Sequence, residues 1–179
     1  KLFQSIGYKL NEAETINSVI GLAQILVMVP VSLATAFGMS LIPGLTSDFI
    51  GERILEVRNK ISETIQIIMF FTLPAAMGLY ILGDPIYIMI FGVENSPELG
   101  GDLLQLYSLA AVFFAMFTVT AAIMQGINEQ KKLIIGVLLG VFLKIVLNYI
   151  LVPYFKEAGP ILATYFGFMI SILFNIFII

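Results

Sequence analysis

The chain has 179 residues, 59% of them hydrophobic and only 12% charged, with a net charge of −3 and no His, Cys or Trp; its mean hydropathy is +1.01. A soluble domain carries about 25% charged residues, so the apolar surface of this chain has to face lipid. The missing His and Cys exclude thiol nucleophiles, imidazole bases, disulfides and zinc sites of the usual ligand set, no GxxxxGK(S/T) or GxGxxG occurs to cradle a nucleotide, and nine scattered basic residues form no nucleic-acid stripe.

No cofactor, no metal and no nucleic-acid partner are therefore expected, and a protein of this composition moves something rather than converts it. In a bilayer every backbone N–H and C=O must be paired within its own segment, which long apolar runs carrying Gly and Pro satisfy as helices. The fold class expected is all-α: a polytopic transmembrane helix bundle of about five spans, forming a single membrane domain over residues 1–179. The chain starts at Lys1 and stops within the apolar run SILFNIFII. It reads as an internal piece of a larger membrane protein, whose remaining helices would be its partners along with the bilayer.

Residues 1–17 are mixed and polar, and Asn11 with Glu14 has the spacing of a capping box that opens a helix. The first span runs roughly from Ser18 to Leu45; Pro30 inside it should kink the axis and Pro43 should end it. Residues 47–63 read as a solvated, charged helical connection, with Glu56 four residues before Lys60 as a helix-stabilising pair. The second span, Thr64 to Leu82, carries a second kink at Pro74. The segment 85–91 is too short to cross and should lie in the interface, followed by the acidic, Gly/Pro-punctuated loop VENSPELGGD. Asp102 with Gln105 repeats the capping-box pattern ahead of the third span, Leu103 to Ile127. Lys131 and Lys132 mark a short turn into the fourth span, Leu133 to Val152, and the turn KEAGP precedes the fifth, Ile161 to Ile179.

Basic residues set the orientation. The connections 47–63 and 128–132 hold Arg53, Arg58, Lys60, Lys131 and Lys132, against Lys156 alone in the other two connections. This makes 47–63 and 128–132 cytoplasmic in a multi-pass protein of the cell membrane, a contrast softened by Lys1 and Lys9 on the outer side.

Lys144 is the most informative side chain. It lies twelve residues from both Lys132 and Lys156, so about 18 Å of helix separates it from either charged boundary, farther than a lysine stem can snorkel. Such a charge costs about 2.5–3.5 kcal/mol on insertion, whereas the Leu, Ile, Val and Phe of its span return about 4–9 kcal/mol. The span can carry Lys144, but only facing protein or water. Gly136, Gly140, Lys144 and Asn148 are spaced four apart on one stripe. Two readings stay open: an amine tied to carbonyls beside a packing Asn148, or a cation lining a cavity that attracts an anionic substrate.

Comparable stripes run through Ser108, Ala111, Ala115, Thr118, Ala122 and Gln125, through Gly159, Ala163, Gly167, Ser171 and Asn175, and through Asn17, Gly21, Gln24 and Thr35. Helix packing favours small residues and explains Gly136, Gly140, Gly159, Ala163 and Gly167; a water-filled path would use Lys144, Asn148, Gln125 and Gln24. All twelve acids lie outside the middle of the spans, where a proton relay or sodium site would need one.

The stretches VSLATAFGMSLIPGLT, LPAAMGLYILGDPIYIMIFG, VTAAIMQGINEQK and LKIVLNYILVPYF, in this order and spacing, resemble the polysaccharide-biosynthesis and stage V sporulation protein B branch of the multidrug/oligosaccharidyl-lipid/polysaccharide exporter superfamily, which includes lipid II flippases. The resemblance implies spans eight to twelve of a fourteen-helix transporter, that is, part of the second lobe of a two-lobed exporter. It further implies alternating access to a central cavity and translocation of an undecaprenyl-pyrophosphate-linked saccharide or peptidoglycan precursor. The pattern KIVLNY, present from Lys144 to Tyr149, would then place a cation near a diphosphate. A cation-coupled multidrug exporter of the same fold is the alternative, although it would call for a carboxylate in the membrane. A membrane-embedded glycosyltransferase or polymerase would draw acid/base groups from Asp84, Glu94, Glu98 and Asp102.

Overall fold

A computed structural model describes residues 7–92 and 96–179. Lys1 of the charge comparison and Glu94 of the acidic group lie outside the described residues. Among the described residues seven α-helices follow in order: α1 (Leu10–Ile50), α2 (Ile54–Ile81), α3 (Gly83–Phe91), α4 (Pro97–Ser108), α5 (Ala110–Gly126), α6 (Gln130–Phe155) and α7 (Gly159–Ile178), with a 3-10 turn at Lys156–Ala158 before the last. Four helical stretches are long and apolar enough to cross a membrane: Leu10–Ile50, Ile54–Ile81, Glu98–Gly126 and Gln130–Ile178. The last of these doubles back at Lys156, whose φ of 49° breaks it into α6 and α7, packed side by side. The chain is an all-α, multi-pass membrane protein.

The helices overrun the apolar runs, and each helix end has a local cause. α1 starts at Leu10 because the Lys9 N–H donates to Glu12 Oε2 at 2.9 Å; the cap is therefore Lys9 with Glu12, not Asn11 with Glu14. It continues past Pro43 to Ile50. A proline removes a single backbone donor, and beyond it Leu45 is fully buried while Thr46 Oγ1 donates to Gly126 O at 2.9 Å. The expected loop VENSPELGGD turns helical from Pro97. There Gly100 and Gly101 let α4 lie directly on α3: a methyl at Gly100 would overlap the Tyr87 ring, and one at Gly101 would overlap the Asp84 carboxylate. Asp102 is thus inside α4 rather than at its cap, and Gln105 donates to Asp84 Oδ2 at 3.3 Å. α4 and α5 form one bent span, the bend falling where the Ser108 hydroxyl donates to Gln105 O at 2.7 Å and competes with the helical bond.

α1 is the spine. Its buried residues, among them Val19, Ala23, Leu26, Val27, Ala34, Leu41 and Leu45, recur every three or four positions and form one stripe. Toward the N-terminal end of α1 this stripe packs on Ala76, Tyr87, Leu104, Ala110 and Ala111; toward its C-terminal end it meets Val57, Ile68, Ala115, Val119 and Ile123. At Gly38 α1 faces α5, where a methyl would make ordinary contact 3.4 Å from Ala122 Cβ. The α5 stripe from Ser108 to Ala122 is therefore largely consumed in packing against α1. The N-terminal end of α1 and the turn of the hairpin α6–α7 are tied by Tyr8, whose hydroxyl donates to Glu157 Oε1 at 2.5 Å. That bond to a carboxylate, with some desolvation, pushes the phenol up to about 12.

Candidate functional site

The hairpin α6–α7 is joined along a seam of glycines. The Ser171 hydroxyl donates to Gly136 O at 2.9 Å. A methyl at Gly140 would stand 2.5 Å from Gly167 O, one at Gly167 would stand 2.9 Å from Gly140 O, and one at Gly159 would stand 2.7 Å from Val152 Cα. Only hydrogens fit there. Gly136, Gly140, Gly159 and Gly167 thus meet in one interface, and Ala163, also of α7, is fully buried. Farther in, Asn175 is completely buried and donates to Thr120 Oγ1 at 3.2 Å, a tie from α7 to α5 that spacing alone did not single out.

Because Lys144 follows Gly140 by four residues, it stands at the edge of this seam. Its Cβ lies 3.2 Å from where a methyl on Gly167 would be. The side chain lines an open groove of about 210 Å³ between α5, α6 and α7, together with Phe117, Val137, Val141, Thr164 and Phe168. Lys144 has neither a hydrogen bond nor an ion pair among the described residues. The hydroxyl protons beside it are already committed, Thr164 donating to Pro160 O at 2.8 Å and Ser171 to Gly136 O. The groove therefore presents hydrocarbon and aromatic walls with one ammonium, a donor of three hydrogen bonds.

The other candidates lie apart. Asn148, one turn further along α6, is half-buried, and its Oδ1 is enclosed without a hydrogen-bond partner. Gln125 and Gln24 are exposed and do not line the groove. Spacing can place residues on one face of a helix but not say which neighbour that face meets. Asn17 and Gly21 are exposed with Gln24, so the α1 stripe points away from the described packing, unlike those of α5 and α7. Pro30 is buried within α1 and Pro74 exposed within α2.

The connection 47–63 is more than a solvated linker. Asp48 is buried, pairs with Arg53 at 2.6 Å and also with Lys60, and Lys60 reaches Gly44 O at 3.3 Å. Lys60 therefore serves Asp48 on α1 rather than Glu56 on its own helix. The Lys60 ammonium, helped by Arg53 and opposed by desolvation, holds the Asp48 carboxyl below the usual carboxylate range. The sequence signal was the charge cluster itself; what it could not supply was the turn at Gly51 that folds α2 back onto Asp48.

The family described as Lipid II flippase MurJ matches residues 12–179. Among curated proteins, the chain is 43% identical over 157 residues to Lipid II flippase MurJ of Bacillus subtilis (strain 168), covering 87% of this chain and 29% of that protein. It is 27% identical over 158 residues to Uncharacterized membrane protein YabM of the same organism, covering 88% and 29%. It is 26% identical over 135 residues to Probable lipid II flippase MurJ of Rhizobium tropici, covering 73% and 25%. The chain thus spans less than a third of the length of these relatives. No solved structure matches it.

Proposed function

Since the chain belongs to the lipid II flippase MurJ family, we propose that it forms part of a transporter that carries an undecaprenyl-pyrophosphate-linked peptidoglycan precursor across the cell membrane by alternating access. The observation that carries this reading is the unpaired ammonium of Lys144 in an open groove. A charge kept at this depth without a counter-ion costs free energy and is retained where an anion comes to it; a diphosphate headgroup is such an anion. The protein's work in this scheme is binding and movement, with no covalent step. The span boundaries fit the same picture: crossings near 18–45, 64–82, 103–127, 133–152 and 161–179, the helix of 85–91 in the outer interface, and the connections 47–63 and 128–132 in the cytoplasm. The remaining helices of such a transporter would cover the exposed faces of α1 and α6.

The test is a flipping assay with the protein at its native length in liposomes, using a fluorescent undecaprenyl-diphosphate-linked disaccharide quenched from outside by a membrane-impermeant reductant. Acceleration over protein-free liposomes is expected. Equal rates with and without protein would refute the proposal.

A further inference from the structure

The N-terminal half of α1 borders two cavities, one after the other along a single line of side chains. Asn11, Thr15, Ser18, Leu22, Leu26 and Val29 follow at steps of three and four and share one face of the helix. The first cavity, about 430 Å³, is lined by Asn11, Glu14, Thr15, Ser18 and Ser96, with Leu22. The second, about 320 Å³, begins one turn further along α1 with Leu26, Val29 and Pro30, and is completed by Gly78 and Leu79 of α2 and Ile86 of α3.

The first cavity is rich in hydrogen-bond acceptors. Thr15 Oγ1 donates its proton to Asn11 O at 2.9 Å, and Ser18 Oγ donates to Glu14 O at 2.9 Å, so both hydroxyls present lone pairs only. The Glu14 carboxylate has neither a hydrogen bond nor an ion pair among the described residues, and no described Lys or Arg lines the cavity. The donors left are the Asn11 amide and the Ser96 hydroxyl, from which a phosphate oxygen can accept. With the crossing beginning near Ser18, the helix from Asn11 to Ser18 rises about 10 Å, comparable with a headgroup layer of about 5–8 Å per leaflet, and the second cavity falls in the hydrocarbon core. Its apolar walls give a lipid chain little net gain, because the chain only exchanges one apolar medium for another. Selection therefore falls to the headgroup cavity. A primary ammonium donates three hydrogen bonds and is attracted by Glu14, whereas an anionic headgroup is repelled and a quaternary one has no N–H to give. In a prenyl-diphosphate-linked saccharide the diphosphate caps the chain, which would put an anion beside Glu14.

We infer that this face of α1 binds a resident phospholipid with a primary-amine headgroup, its ammonium at Glu14 and one acyl chain along the groove between α1, α2 and α3. The step rests on the crossing boundaries given above and not on what the protein transports.

The experiment places the native-length protein in phosphatidylcholine liposomes with trace photoactivatable phosphatidylethanolamine, phosphatidylcholine or phosphatidylglycerol, each carrying a diazirine near the end of one chain, and locates the label by peptide mass spectrometry. Phosphatidylethanolamine should label residues 26–30, 75–82 or 86–90 about twofold to fivefold more than either other probe, the effect of an exposed ion pair. Glu14→Gln should bring the three probes level. Gly78→Trp should remove most of the label from the groove; nothing lies within 4 Å of where a methyl on Gly78 would stand, so the ring enters open space. Equal labelling of the wild type by all three probes, a preference that survives Glu14→Gln, or a groove without label would each overturn the inference. So would displacement of the phosphatidylethanolamine probe by an equal amount of undecaprenyl-diphosphate-linked disaccharide, which would make the precursor the occupant. The flipping assay is read separately: its failure refutes the transport reading and leaves this site standing, and failure of the labelling leaves the transport reading untouched.

Discussion

Asp48 and Lys144 are both charged groups drawn into the protein, and their surroundings differ in every respect that matters. Asp48 is buried at the C-terminal end of α1 with two cations, Arg53 and Lys60, against its two oxygens, in a region where α1, α2 and α5 pack on a continuous core. Lys144 stands in a groove on a hairpin held together by glycines, with no counter-ion among the described residues. A neutralised charge fastens helices; an unpaired one is available to a ligand. The α1–α2–α5 bundle is the packed frame, and under the proposed function the α6–α7 edge is the part that meets the substrate.

The comparison can be broken most severely at the glycine seam. Gly140→Leu would drive a side chain into Gly167 O, and overpacking of this kind costs about 1–3 kcal/mol or more; loss of folded protein in a detergent melting assay is the expected result. A normally folded Gly140→Leu protein would show that the hairpin yields where the geometry says it cannot. Asn175→Leu removes the buried tie to Thr120 and should cost about 0.6–1.7 kcal/mol, read as a lower melting temperature. No change in melting would mean that α7 is held to α5 by apolar contact alone.

The Asp48 cluster gives a pH-dependent test. Its folded-state carboxyl is held low by Lys60 and Arg53, so its contribution is complete above the unfolded carboxylate value of about 3.9 and is lost as pH falls below that, through the lower folded value. The melting temperature of Asp48→Asn should accordingly lie below that of the wild type at neutral pH, with the gap closing under acid. A gap that stays constant with pH would mean that the carboxylate charge is not what fastens α1 to α2. The smallest effect is expected at the N-terminal end of α1, where Tyr8→Phe removes one hydrogen bond to Glu157, about 1 kcal/mol or less. A large loss there would move the anchor of the hairpin from its glycine seam to this contact.

How much of this was legible beforehand follows from what each signal measures. Hydropathy reported the crossings because lipid exposure is a property of composition, and the fourfold spacing of Gly136, Gly140, Lys144 and Asn148 placed them on one stripe because helix pitch is fixed. The helix ends escaped because tertiary contacts decide them: Pro43 is carried inside α1 by the burial of Leu45 and the bond from Thr46 to Gly126, and Gly100 and Gly101 serve contact with α3 rather than a loop. Gln24 and Gln125 lie exposed and away from the Lys144 groove, a placement hidden beforehand because a stripe does not reveal its neighbour. Asp48 read as linker charge because its partners are recruited only by the fold of the connection.

The most direct measurement of the central claim is labelling of Lys144→Cys by a membrane-impermeant thiol reagent, in the native-length protein with any cysteine outside these 179 Cys-free residues replaced by serine, with Ala115→Cys as the buried reference and Phe142→Cys as the exposed apolar one. The account predicts that position 144 alone of the three is labelled, and that an undecaprenyl-diphosphate-linked saccharide slows the labelling. Complete protection of position 144 under every condition, equal to that of Ala115→Cys, would contradict it.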